Sequence, residues 1–223
     1  MCKGKIEQMT MADGASVGVY HVEPYGVRRG GLVLIQEIFG LTEHIKDNAD
    51  SFCAEGYEVL APALFDREEP GFIASADEMQ KGVALAYQRH PFALSVGDAK
   101  TCAHALKAKG LVFAVGYCYG GSVAYALACR SDELAGVSSY YGKLAPDMAD
   151  EPLQCPVICH FGKQDSSIPR DRIDHLKRLR PEVTVYLYDA GHGFNSPRPT
   201  HHDPEAAKLA RDRTLDFFRA HGA

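Results

Sequence analysis

The sequence predicts an α/β fold, a mostly parallel sheet with helices on both faces. Three observations carry that prediction. Short apolar strands alternate with helical runs along the chain, a pattern that requires crossover connections and a sheet covered on both sides. The run Gly31-Leu-Val-Leu-Ile-Gln-Glu37 is continuously apolar until its polar end, as in a parallel strand buried on both faces. The chain has 223 residues with no Ser/Gly/Pro-rich linker, so one domain spanning 1–223 with a full core is expected.

The elements follow in order. Ser16 to Val22 alternates and reads as an early strand, antiparallel to its partner. After the run at 31–36, Thr42 to Glu55 has helical spacing, with Ile45, Ala49 and Phe52 on one face. Gly56 to Pro62 reads as a strand stopped by proline. Ala76 to Ala108 reads as two helices broken near Pro91, and Leu111 to Val115 as a strand. Ser122 to Cys129 is helical; Leu134 to Tyr141 and Pro156 to Phe161 are strands. Arg170 to Arg180 is helical, Val183 to Tyr188 is a strand, and Pro204 to Ala220 is a closing helix carrying Leu215, Phe217 and Phe218.

Composition excludes several classes. The formal charge is −5, which gives no basic footprint for nucleic acid. No run approaches the roughly 20 apolar residues of a membrane span, and the first residues lack the apolar core of a secretory signal. A cytoplasmic protein without nucleic-acid or membrane partners is expected, monomeric or with a dimer as the alternative. The seven cysteines are odd in number and irregularly spaced, so no disulfide framework is expected. Cys155 and Cys159 lack a second half at zinc spacing and read as buried packing; His201-His202-Asp203 reads as a helix cap or exposed loop. No metal site is predicted.

The chemistry concentrates where strands end, which is where parallel sheets place reactive groups. Gly116-Tyr-Cys-Tyr-Gly-Gly121 lies between a strand and a helix, a sharp turn that lifts Cys118 out of the backbone. A thiol there can ionise near neutral pH, which a serine hydroxyl cannot. Asp165 follows strand 156–161, and His192 follows strand 183–188. Nucleophile, acid and histidine thus occur in the chain order of an α/β-hydrolase triad. Cys118 would attack an acyl carbon, His192 would manage its proton, and Asp165 would fix the imidazole tautomer. The N–H groups of Tyr119 and Ile38 are the expected oxyanion-hole donors. Each residue also has a plainer reading: buried packing for Cys118, a helix cap for Asp165, a turn for His192.

Glu37 ends strand 31–36, where a carboxylate would repel a developing oxyanion. It makes sense as a resting partner of an un-ionised Cys118 thiol, taking the thiol proton when substrate displaces it. The plainer reading is a carboxylate that holds its loop.

With these residues in place, the chain resembles the dienelactone hydrolase family (carboxymethylenebutenolidases). The resemblance rests on Gln36-Glu-Ile-Phe-Gly-Leu41, Gly56-Tyr-Glu-Val-Leu-Ala-Pro-Ala-Leu64, Gly116-Tyr-Cys-Tyr-Gly-Gly121, Gly162-Lys-Gln-Asp-Ser-Ser-Ile-Pro169 and Gly191-His-Gly-Phe194. It implies an eight-stranded α/β-hydrolase sheet, a Cys–His–Asp triad, a switching role for Glu37 and no cofactor. The implied substrate is a small lactone of the dienelactone type or an activated ester. Family members that hold a substrate carboxylate do so with two arginines. The matching stretches here offer Lys81, which supplies charge without the planar fork, and Arg198, about two positions late. Tyr140 matches an aromatic pocket residue, with Phe39 beside it. A non-catalytic ligand-binding protein on the same fold and a thiol amidase are the alternatives; the second fits less well, because His192 is followed by Gly193 and Phe194 rather than by His-x-Glu.

Overall fold

The computed structural model describes residues 2–198 and 201–223. Its strands are β1 (Lys5–Thr10), β2 (Ser16–Val22), β3 (Gly30–Ile35), β4 (Tyr57–Pro62), β5 (Val112–Tyr117), β6 (Gly136–Tyr140), β7 (Val157–Gly162) and β8 (Thr184–Tyr188). They form one eight-stranded sheet in the order β1-β2-β4-β3-β5-β6-β7-β8. β1 and β2 pair antiparallel, β2 joins β4 antiparallel, and every pairing from β4 to β8 is parallel. The antiparallel partner expected for β2 is β1, which the sequence reading left out. Its side chains are largely exposed, as suits an edge strand, and it carries no apolar run.

The helices are α1 (Glu43–Ala54), α2 (Met79–Ala84), α3 (Phe92–Lys107), α4 (Tyr119–Arg130), α5 (Arg170–Leu179) and α6 (Pro204–Ala220). α2 opens from a 3₁₀ turn at Ala76–Glu78 and runs on into a wider π turn at Leu85–Arg89, and Pro91 ends that run as expected. Asp203 caps α6 through the Ala206 N–H, the plainer reading of the His201-His202-Asp203 segment.

Helices cover both faces. Gly31 of β3 faces Leu106 of α3. The preceding residue, Gly30, lies against Phe113, whose ring packs 4.4 Å from Phe218 of α6. Successive strand residues point to opposite faces, so α3 and α6 lie on opposite sides. α4 is buried almost all round, which explains its nearly uncharged sequence.

One disulfide departs from expectation: Cys2 and Cys53 are bridged, 51 residues apart. Cys102, Cys118, Cys129, Cys155 and Cys159 are free, and all but Cys118 are buried.

The topology fixes where a site can form. From β3 the chain passes to β4 on one side, then returns to place β5 on the other. Such a reversal leaves a crevice outside the carboxyl ends of the two flanking strands. Ile35 and Gly116 are paired there, so Glu37 and Cys118 emerge side by side.

Candidate active site

The turn after β5 is tight because two glycines let backbone approach backbone. A Cβ on Gly116 would lie 1.9 Å from the Gly120 carbonyl oxygen, and one on Gly120 would lie 2.3 Å from that of Ile35. Between them Cys118 has φ 55° and ψ −114°, a strained backbone for a residue with a side chain. The turn is tied to β6 by the Cys118 N–H donating to the Tyr140 carbonyl at 3.0 Å. Tyr119 is the first residue of α4, so its N–H is one of the helix-start donors without an intrahelical acceptor. Ile38 lies across the same crevice, in a loop held by the Ala74 N–H donating to the Phe39 carbonyl at 3.0 Å. Of the two expected oxyanion donors, Ile38 lines one cleft with Cys118, and Tyr119 follows Cys118 directly at the start of α4.

Three side chains from three strand ends meet in sequence. His192 Nε2 is 3.1 Å from Cys118 Sγ, and His192 Nδ1 is 2.6 Å from Asp165 Oδ2. The other Asp165 oxygen accepts from the Ser167 N–H at 2.9 Å and the Ser167 hydroxyl at 2.6 Å. Ser167 also stands 3.2 Å from His192 Nδ1. It is a member that sequence reasoning missed, although its two-residue spacing from Asp165 is that of an Asx turn.

Electrostatics follow from these contacts. Burial alone would depress the His192 imidazole, but the Cys118 charge and the bond to Asp165 outweigh it and push the pKa up to about 10. Burial likewise opposes the Asp165 charge, yet the bonds from His192 and Ser167 hold its carboxyl below the usual range.

Glu37 is buried, and burial raises its pKa against the favourable charges of Arg198 and His192. Its Oε1 accepts from the Arg198 guanidinium at 3.2 Å. The expected resting contact between the Cys118 thiol and Glu37 is replaced: the thiol turns to His192 and Arg198 takes the carboxylate. A guanidinium offers a charge-assisted bond that a neutral thiol cannot match. Arg198 also lies 4.0 Å above the Phe39 ring, which fixes its orientation.

The cleft over these groups is about 690 Å³ and is walled by Ile38, Phe39, Met79, Val83 and Tyr87, with Cys118, His192, Arg198, His201 and Lys143 among its polar lining. A smaller cavity of about 260 Å³ shares Phe39 and Arg198 with it and has Glu37 in its wall. Two expected substrate contacts lie elsewhere. Lys81 is 68% exposed and paired with Glu78, because Met79 and Val83, one helical turn apart, take the cleft side of α2. Tyr140 is fully buried, its hydroxyl 2.8 Å from Thr214 Oγ1, because strand alternation sends it into the core. Lys143, three residues beyond the end of β6, was missed; its place past a strand end was the available signal.

Among the described residues, the one cluster spaced for a metal is His21, Glu23 and Glu58, at the opposite end of the sheet. Glu58 is already engaged by Arg28 and Lys109, each at 2.7 Å, so the cluster is an ion-pair network rather than a vacant ligand set. No helix among the described residues is long and apolar enough to cross a membrane.

The sheet, its crossovers and the strand-end cleft are those of an α/β hydrolase, and the match to known proteins narrows the class to enzymes that hydrolyse ester or lactone bonds. The chain belongs to the dienelactone hydrolase family, whose model matches residues 17–222. It is 32% identical over 227 residues to the "Putative carboxymethylenebutenolidase" of Azospirillum brasilense, covering 94% of this chain and 95% of that one. Identity to the carboxymethylenebutenolidase of Pseudomonas putida is 28%, over 93% and 96% of the two chains. Among solved structures it is similar to the "Putative Dienelactone Hydrolase" of Klebsiella pneumoniae, with TM-score 0.86 and 26% identity over 98% of this chain and 99% of that one.

Proposed function

We propose that Cys118, His192 and Asp165 act as a nucleophile–base–acid triad that opens a small lactone or cleaves a small activated ester through an acyl-enzyme. The observation that carries this reading is the unbroken relay from Cys118 Sγ to His192 to Asp165, at 3.1 and 2.6 Å, on the floor of an apolar cleft. Cys118 sulfur attacks the carbonyl carbon, and its proton resides on His192. The tetrahedral oxyanion is received by the N–H groups of Tyr119 and Ile38. On collapse the C–O bond breaks, and the leaving oxygen takes the proton from imidazolium. In a lactone that oxygen stays tethered in the acyl chain. Water, deprotonated by His192, then attacks the thioester carbon; the C–S bond breaks and the thiolate returns.

Phe39, Met79, Val83 and Tyr87 supply an apolar bed for a small acyl group. Arg198 and Lys143 are the cations of that cleft able to meet a substrate carboxylate, and for Arg198 doing so would release it from Glu37. Cys118→Ala tests the reading. Loss of at least about 10³-fold in kcat/KM on p-nitrophenyl acetate and on a simple lactone is expected, together with an acyl adduct on Cys118 in the wild type caught by mass spectrometry. Undiminished turnover by Cys118→Ala would refute it.

A further inference from the structure

We propose that Tyr141 is a positioning residue whose phenolic O–H receives the Glu37 carboxylate once an anionic group on the substrate draws Arg198 away. The proposal rests on the triad reading above and on the place of Arg198 in the cleft.

Tyr141 follows β6 with φ 39°, one of two described non-glycine residues in the left-handed region; the other is Cys118. Strain of this kind persists where the surroundings impose it. Here it turns the ring out of the strand alternation and against His192, 5.1 Å between centroids at 62°, with Phe194 5.2 Å away on another side. The residue is fully buried, yet its hydroxyl has no hydrogen-bond partner among the described residues. A buried unmade donor is costly, and replacing it by phenylalanine would remove that cost. An acceptor that arrives in another state would remove that cost as well.

The candidates narrow quickly. Both ring nitrogens of His192 are committed, to Asp165 and to Cys118. Glu37 remains: its Oε1 accepts from Arg198, and its charge bears on the Tyr141 phenol. Burial, then the charge of Glu37, keeps the phenol protonated, so toward that carboxylate it can only donate. While Arg198 holds Glu37 the phenol is spare. When Arg198 swings to a substrate anion, Glu37 is left as a buried charge, and Tyr141 is the uncommitted donor that can hold it.

Two esters with one leaving group test this. p-Nitrophenyl acetate carries no anion and leaves Arg198 on Glu37; mono-p-nitrophenyl succinate carries a free carboxylate. Tyr141→Phe is expected to stay within about twofold of wild type in kcat on the acetate. Its kcat/KM on the succinate ester should fall by about tenfold, the worth of one hydrogen bond to a charged group, through a raised KM with kcat little changed and Tm not lowered. In a Glu37→Gln background the same change should add nothing. Equal losses on both esters, no loss on the succinate ester, or an undiminished effect beside Glu37→Gln would overturn the assignment. Activity surviving Cys118→Ala would instead remove the triad reading on which it stands.

Discussion

His192 reaches Cys118 from beyond the edge strand β8: 74 residues separate them, yet Nε2 and Sγ stand 3.1 Å apart. Against the lowering effect of burial, the Cys118 charge and the bond to Asp165 push the imidazole pKa up to about 10. Because the folded value lies above the unfolded one, the stability this pairing contributes is complete below about pH 6.5 and drains away as pH rises through about 10. His192→Asn should remove that alkaline loss of stability. It should also slow iodoacetamide labelling of Cys118 by at least about tenfold and lower kcat/KM by about 10²–10⁴, the usual worth of a positioned acid–base group. Labelling of Cys118 at the wild-type rate in that variant would show that the contact does not activate the thiol.

Half-buried Arg198 and buried Glu37 form a pair whose members cannot be removed one at a time without cost. Arg198→Met strands the carboxylate and should destabilise the fold by about 3 kcal/mol at pH 8 in urea unfolding. Glu37 is held above its ordinary pKa, so the folded chain keeps this proton longer than the unfolded chain does. Stability tied to Glu37 therefore rises as pH falls toward the carboxylate range, and the deficit of Arg198→Met should shrink at pH 5. Adding Glu37→Gln should recover most of the loss; a deficit equal at both pH values, and untouched by the second change, would mean that Arg198 acts through packing on Phe39 instead.

Much of this arrangement is legible in the sequence, and what is not has physical causes. Strand ends are marked by apolar runs that stop at polar residues, so Glu37, Cys118, Asp165 and His192 could all be assigned to one end of a parallel sheet. Directions of individual side chains are less visible. The sequence singles out Tyr140, but strand alternation buries it, and the turned backbone at Tyr141 presents the next ring to His192. Lys81 is offset by two residues from Met79, half a helical turn away from the cleft. β1 escapes detection because its pairing to β2 is made by backbone, with side chains that remain polar and exposed.

His160 shows the opposite titration from His192. It is fully buried in β7, its Nδ1 2.8 Å from the Tyr188 hydroxyl and its Nε2 3.1 Å from Ser138 Oγ. Burial pushes its pKa down to about 3. The unfolded chain takes up this proton first, so stability is intact above about pH 6.5 and is lost as pH falls toward about 3. The urea midpoint should drop markedly between pH 7.5 and 4.5 in the wild type. His160→Gln, which keeps polar atoms for its neighbours without the titration, should flatten that slope; a slope as steep as wild type would assign acid lability to other groups.

The Cys2–Cys53 bridge ties the segment before β1 to the last turn of α1, at the end of the sheet away from Cys118. Closing 51 residues restricts the unfolded chain far more than the folded one, which in the loop-entropy account is worth about 4 kcal/mol. Denatured without reductant, the protein should titrate five thiols, and after reduction all seven. Cys2→Ser should lower stability by about 2–4 kcal/mol and leave kcat on p-nitrophenyl acetate unchanged, since α1 starts beside the cleft and carries Cys53 away from it. A titre of seven without reductant would show the two sulfurs unlinked in solution, and Cys2→Ser would then be expected to unfold at the wild-type midpoint.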